Sequence, residues 1–417
     1  MSPLQQQIQK HRQGNPVGIT SVCCSHEQVL RAALQAAKGE PGSLLLIEAT
    51  SNQVDQFGGY TGMRPAEFMA FARQLAREQG LAPERLVLGG DHLGPNAWQR
   101  RPAAEAMGLA RELVHAYVQA GFQKIHLDCS MACADDPARL PDEAVAARAV
   151  ELAAVAEAAA LQGGVAVTTP QAAQQTLNIH AQAFAQAGLQ EAWRRVIAMV
   201  VQPGVDFDPE VVQAYAPAAA ARLSDWVAAQ PGLVFEAHST DYQSEPALHA
   251  LVRDHFAILK VGPAATFALR EALFALAAIE REWLPLEQQS QLPQVLEQAM
   301  LAQPRHWAAH YPGDTSAQRL QRRFALSDRL RYYWGEPAVQ QAVERLIANL
   351  RARPLPQTLL SQFLPDLLEP VRAGRLAAEP WALVRERVQA VLRPYLRACH
   401  RNQVQIESNR PEILSEA

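Results

Sequence analysis

Leu86-Val87-Leu88-Gly89-Gly90-Asp91-His92 is a short apolar run that ends in ionisable residues. Five further runs have the same form: Leu44-Leu45-Leu46-Ile47-Glu48, Lys124-Ile125-His126-Leu127-Asp128, Val200-Val201-Gln202-Pro203-Gly204, Val234-Phe235-Glu236-Ala237-His238 and Ala257-Ile258-Leu259-Lys260. An unpaired ion inside a protein is costly, so a buried strand normally avoids charge. Its recurrence at one relative position predicts strands that deliver polar groups to a shared face. That is the layout of an α/β fold of the TIM-like (β/α)8 barrel type, whose site lies at the C-terminal ends of the strands.

Outward from these runs, strands are expected over residues 17–22, 43–49, 86–93, 124–130, 196–201, 233–238 and 256–261, separated by helical patterns. Such alternation predicts a parallel sheet. An open doubly wound sheet is the alternative; eight units favour closure. The fifth strand is the weakest: only Gly163-Gly164-Val165-Ala166-Val167-Thr168 separates two helical stretches, and it carries no ionisable residue. From residue 283 the strand signal ends and the pattern is helical with Pro punctuation. The expected organisation is a barrel over 1–282 and a helical extension over 283–417 packed on it.

At 417 residues and 49% hydrophobic, the chain can bury a large core. A formal net charge of −4 argues against a dedicated nucleic-acid binder. Five scattered cysteines make no disulfide framework and fit a reducing cytoplasm. Residues 1–18 are Gln-rich without the apolar centre of a signal peptide, and no stretch is long and apolar enough to span a membrane.

Side chains alternate along a strand, so His126 and Asp128 share a face, as do Glu236 and His238. Asp91 and His92 are adjacent, and a regular strand points only one of them inward. Around a barrel mouth, Glu48, His92 (or Asp91), His126, Asp128 and His238 converge. Mixed His/carboxylate sets suit zinc or manganese with open positions, and such an ion polarises a sugar carbonyl. His92, His126 and His238 are the candidate metal ligands; Glu48, Asp91, Asp128 and Lys260 are the candidate catalytic groups. For any single histidine the plainer alternative is a hydrogen-bonded core residue.

Lys260 is one of only four lysines. It is either a desolvated amine that forms a Schiff base with a ketose, or the partner of Glu236 or another barrel carboxylate. After it, the turn through Gly262 into a helix is a candidate phosphate cradle. Asn52 and Gln53, in a polar loop after the second strand, suit a hydroxyl-rich ligand or simply cap the barrel. Asp241 lies in a similar loop. Arg329, in Ser327-Asp328-Arg329-Leu330-Arg331-Tyr332-Tyr333-Trp334, could reach a phosphate over the mouth, anchor a subunit contact, or only pack a helix. Cys129 and Cys133 lack CxxC spacing and read as structural thiols.

Several of these stretches are also familiar. Ile47-Glu48-Ala49-Thr50-Ser51-Asn52-Gln53-Val54, Gln56-Phe57-Gly58-Gly59-Tyr60-Thr61-Gly62-Met63, Leu88-Gly89-Gly90-Asp91-His92-Leu93-Gly94-Pro95-Asn96 and Glu236-Ala237-His238-Ser239-Thr240-Asp241-Tyr242-Gln243 resemble the Z-type subunit family of D-tagatose-1,6-bisphosphate aldolase. So do the runs around His126, Gln202 and Lys260 and the segment Leu326-Ser327-Asp328-Arg329. The resemblance spans about residues 8–400. It implies a TIM-like barrel in galactitol, tagatose or N-acetylgalactosamine catabolism. It also implies a partner, the Y-type class II aldolase subunit, which carries zinc and which this chain would stabilise and activate without catalysing. Other members of the family are D-tagatose 6-phosphate 4-epimerases, which implies a sugar-phosphate ligand. Family members carry an acidic residue in a Gly-Thr-Glu-Val-Pro-type fifth strand; here it is absent. That departure places the accessory role ahead of the epimerase. No nucleic-acid or membrane partner is expected.

Overall fold

The computed structural model describes residues 2–138, 140–156, 167–230 and 232–400. Nine strands are present among them: β1 (Ile19–Cys23), β2 (Leu45–Thr50), β3 (Leu86–Leu93), β4 (Lys124–Leu127), β5 (Ala198–Val201), β6 (Asp206–Phe207), β7 (Val212–Gln213), β8 (Val234–Ala237) and β9 (Phe256–Val261). Seven of them form one curled parallel sheet in the order β4-β3-β2-β1-β9-β8-β5. Each parallel connection passes through helix, because a parallel partner cannot be reached by a tight turn. β6 and β7 pair as a small antiparallel hairpin that periodicity did not reveal.

Seven of the eight expected strands are therefore found, and a closed eight-stranded barrel is not. The expected fifth strand falls largely on residues 157–166, outside the described residues. At its end Thr168 donates its main-chain N–H to the Gln202 carbonyl (2.9 Å), just beyond β5, without forming a strand.

Alternation decides what each strand buries. Val22, Leu45, Ile47, Leu88, Phe235 and Leu259 face the surrounding helices. Ile19, Leu46, Val87, Val234 and Ile258 face inward. The helix Pro3–Arg12 covers that inner cluster with Leu4 and Ile8, spaced one turn apart. Its start is fixed by a capping box between Ser2 and Gln5. The N-terminal segment thus packs on the inner core, which leaves the C-terminal strand ends for chemistry.

Beyond β9 the described residues form helices and turns only. The last helix, Pro380–His400, buries Leu383, Val384, Val388, Leu392 and Leu396 against the helices Glu27–Gly39 and Pro263–Trp283. Cys399 accepts from Gly18 N–H at 2.7 Å, next to β1.

Candidate metal and sugar-phosphate site

The parallel register lines up the polar row. Cys23 lies opposite Glu48, Glu48 opposite Gly89, and Gly89 opposite Lys124. Gly89 supplies no side chain; a Cβ there would come within 2.8 Å of Glu48 Oε1. Lys124 therefore reaches across the gap and donates from Nζ to Glu48 Oε1 and to Glu236 Oε1, both at 2.8 Å. All three are buried, and Ser21 Oγ donates to the other Glu48 oxygen.

Asp91 and His92 both reach the centre. The β3–β4 register slips between Gly90 and Leu93, and His92 adopts a left-handed φ of +50°. Such a bulge turns two consecutive side chains toward one place, which a regular strand cannot do. Buried Asp91 then collects four partners. Its Oδ1 is 2.7 Å from His126 Nδ1, and its Oδ2 is 2.7 Å from His92 Nδ1. Lys260 Nζ and the Cys23 thiol also donate to Oδ2. Burial opposes the Asp91 charge, but His92, Lys260 and His126 outweigh it and hold the carboxyl well below its usual range. His238 lies 3.0 Å from Glu236 through Nε2. Burial and the charge on Lys260 lower His238 to about 3, and burial lowers His126, so both imidazoles are neutral at physiological pH.

Asp91, His126, Glu236 and His238 place one donor atom each within 4.8 Å of one another. With His126 Nδ1 donating to Asp91, its Nε2 carries the lone pair; that atom is buried and has no partner. Two neutral imidazoles and two carboxylates are a ligand set for zinc or manganese, and the orphaned lone pair fits a bound cation. Glu48, Asp91 and Glu236 against Lys124 and Lys260 leave one negative charge when all five are ionised, while burial raises the Glu48 pKa and so favours its neutral form.

A cavity of about 500 Å³ opens above this centre. His92, His238, Lys260, Asn52, Gln53, Asp241 and Gly262 all line it, so the structure brings these sequence-selected residues together. Glu48, Asp91 and His126 lie buried and are not part of its wall. His92 stands beside the four-residue donor set, its ring 4.9 Å from His126 and 5.2 Å from His238. The remaining candidates have other engagements. Asp128 accepts from Ser130 N and Oγ, past the end of β4 and off the cavity wall. Lys260 pairs with Asp91 and not Glu236; although burial opposes it, Asp91 raises its pKa, so the amine is held as a cation. The Gly262 turn cradles a carboxylate already, because Asp241 Oδ1 accepts from Gly262 N (3.0 Å) and Ala264 N (2.8 Å). Arg329 points away and donates to the His306 carbonyl, while Arg331 and Tyr332 line the cavity instead.

Lys124, Glu236 as a metal donor, and Arg331 are the groups that strand-end reading did not assign to the site. The one available signal for Lys124 was its rarity: it opens a strand in a chain with four lysines.

The chain matches the family described as D-tagatose-1,6-bisphosphate aldolase subunit GatZ/KbaZ-like, over residues 4–165 and 158–400. It is similar to the crystal structure of a probable tagatose 6 phosphate kinase from Sinorhizobium meliloti 1021, with 47% identity and a TM-score of 0.87 over 92% of this chain and 100% of that one. Weaker likenesses are found to the YdjI aldolase of Escherichia coli K12 (9% identity, TM-score 0.43, 84% and 99% covered) and to fructose-bisphosphate aldolase of Campylobacter jejuni (14%, 0.43, 84% and 93%).

Proposed function

This chain belongs to the D-tagatose-1,6-bisphosphate aldolase subunit GatZ/KbaZ-like family, and on that premise we propose that it acts on a ketose phosphate in its own cavity, as a metal-dependent D-tagatose 6-phosphate 4-epimerase. One observation carries this reading: the buried, unpartnered Nε2 of His126 among Asp91, Glu236 and His238. Other buried polar atoms, such as Thr20 Oγ1 and His180 Nδ1, also lack a partner, but His126 stands in a group of four ligand-type residues, where a bound cation would offset the cost of its lone pair.

Asp91, His126, Glu236 and His238 would hold a divalent cation such as zinc or manganese. When bound, such an ion polarises a ketose carbonyl and lowers the pKa of a neighbouring hydroxyl. The residues do the rest. His92, oriented by Asp91, takes the proton of the C4 hydroxyl. The C3–C4 bond breaks, and its electron pair stays on the three-carbon fragment as an enediolate. The aldehyde turns its other face, the bond re-forms, and the proton returns from His92. The Lys260 ammonium supplies positive charge beside the oxygen that becomes anionic. Asn52 and Gln53 orient hydroxyls. The route is redox-neutral and consumes no co-substrate.

The second reading is the accessory subunit of a Y-type class II aldolase in galactitol, tagatose or N-acetylgalactosamine catabolism. The family description as an aldolase subunit favours it. The absence of the family's fifth-strand carboxylate from residues 163–168 favours it too, although the expected strand itself falls largely outside the described residues. A cytoplasmic location is part of both readings, supported by five unpaired cysteines. No helix of the described residues is long and apolar enough to cross a membrane.

The test is to purify the chain alone, add zinc, manganese or nickel, and follow tagatose 6-phosphate against fructose 6-phosphate. Turnover that disappears with chelator and in His238→Ala supports the epimerase. No turnover with any ion, together with co-purification and heat protection of the Y subunit, replaces it with the accessory role.

A further inference from the structure

The cavity has a second charged wall, opposite in character to the His/carboxylate centre. Asp328, buried and in a left-handed conformation (φ +41°), accepts from Thr266 Oγ1 at 2.5 Å and lies 3.7 Å from Arg270. It starts the tight turn Arg329–Tyr332. That turn sends Arg329 back toward the helical region and Arg331 forward into the cavity.

Arg331 is held rigidly by neutral acceptors. Its Nη1 donates to the carbonyls of Ser327 (2.5 Å) and Asp328 (3.2 Å), and its Nη2 to Tyr332 Oη (3.1 Å). Among the described residues no carboxylate lies in salt-bridge contact with it, although Asp328 and Asp241 are near enough to feel its charge. The acid that shares its wall, Asp241, spends Oδ1 on the Gly262 and Ala264 amides. A partly buried guanidinium with no counter-ion in direct contact gains when a ligand supplies one. The positive field is felt locally: Arg331 lowers the Tyr332 phenol below its ordinary value. Tyr332 is itself fixed between His306, stacked at 4.8 Å, and Tyr60, edge-on at 5.1 Å.

We propose that Arg331, with Tyr332, is the anion-binding end of this cavity: it takes the charged terminus of an open-chain sugar whose other end lies over Asp91, His126, Glu236 and His238. The turn after β9, the usual phosphate cradle of such folds, is filled by Asp241, which leaves Arg331 as the unpaired cation on the wall. A cavity near 500 Å³ falls within the roughly 300–1,000 Å³ of small-ligand sites. A phosphate and a carboxylate share the recognising chemistry, since both accept charge-assisted bonds from a guanidinium. The inference rests on the reading that this cavity is the substrate site, but it concerns binding alone.

The experiment measures binding by the full chain without turnover, in chelator, by calorimetry. The probes are tagatose 6-phosphate, unphosphorylated tagatose, the keto-acid tagaturonate and inorganic phosphate. Wild type is expected to bind at least one anionic sugar about 10- to 100-fold more tightly than tagatose, with inorganic phosphate as a competitor. The tighter of the phosphate and the carboxylate identifies the terminus. Arg331→Gln should remove that preference and leave tagatose binding alone, and Arg331→Lys should restore part of it. Thermal melts confirm that each variant folds. Equal binding of charged and neutral sugars by wild type, or an undiminished preference in a folded Arg331→Gln, overturns the assignment. Because no metal is present, failure of the epimerase reading does not affect the result.

Discussion

Lys124→Met is the substitution that bears most directly on how the centre is held together. Lys124 Nζ lies 2.8 Å from both Glu48 and Glu236, and all three side chains are buried. At an effective dielectric of about 20, each contact is worth roughly 6 kcal/mol of Coulomb attraction. Most of that offsets the cost of taking three charges out of water. Removal of one partner leaves the others uncompensated, and the expected net loss is about 3–5 kcal/mol. For a chain this large that corresponds to a fall in Tm of roughly 3–6 °C.

The pH dependence gives a sharper check. Burial already raises the Glu48 pKa, and loss of the ammonium raises it further. A carboxyl whose folded pKa exceeds its unfolded one binds more protons when folded, so its penalty grows as pH rises between the two values. The deficit of Lys124→Met relative to wild type should therefore be smaller at pH 5.5 than at pH 8, by about 1.4 kcal/mol or more. Adding Glu48→Gln removes the stranded charge, and the double variant should recover at least about 1 kcal/mol of the loss. Calorimetric melts in chelator at three pH values measure all of this. Wild-type stability in Lys124→Met, or a deficit that widens on acidification, would refute the account.

Three further outcomes follow from other parts of the molecule. His26, lowered to about 4, accepts from Gln28 N–H as a helix cap, and His238 is lowered to about 3, each chiefly by burial. The unfolded chain takes up protons near pH 6.5 that the folded chain refuses, so stability should fall as pH drops below 6.5, by up to about 1.4 kcal/mol per pH unit for each histidine; melts that are flat from pH 7 to 5 contradict this. Gly94→Ala would place a Cβ 1.8 Å from the Asp128 carbonyl oxygen, so the loops after β3 and β4 must part. A loss of about 2–4 kcal/mol with weaker zinc or manganese binding is expected by calorimetry, and a neutral result would mean that this close approach is not needed. Ile8→Ala, which opens the cover over the inner cluster, should cost about 2–4 kcal/mol by urea unfolding, and a loss below about 0.5 would show that the N-terminal helix is not docked.

The strands were readable because their apolar runs are bounded by polar groups; 86–93 and 256–261 coincide with β3 and β9. The N-terminal helix was not, since only Leu4 and Ile8 carry its apolar face and the rest is polar. Within the site, reading stopped wherever the backbone left a regular period. Strict alternation allows only one of Asp91 and His92 to face inward, and the left-handed turn at His92 delivers both. Alternation also puts Asp128 beside His126, but β4 ends at Leu127 and Asp128 caps its own loop. The same failure separates Arg329 from Arg331. Both stand in one basic, aromatic segment, and no periodicity says which faces the cavity. The choice is made by Asp328, whose left-handed backbone depends on Thr266 and Arg270 some sixty residues earlier in the chain. Positive φ at a non-glycine residue costs free energy unless surrounding contacts impose it. At His92 those contacts are the Asp91 bonds, and at Asp328 the Thr266 bond. Of the six left-handed non-glycine residues among those described, His92 and Asp328 are therefore two that aim chemistry into the cavity, one toward a cation and the other toward an anion.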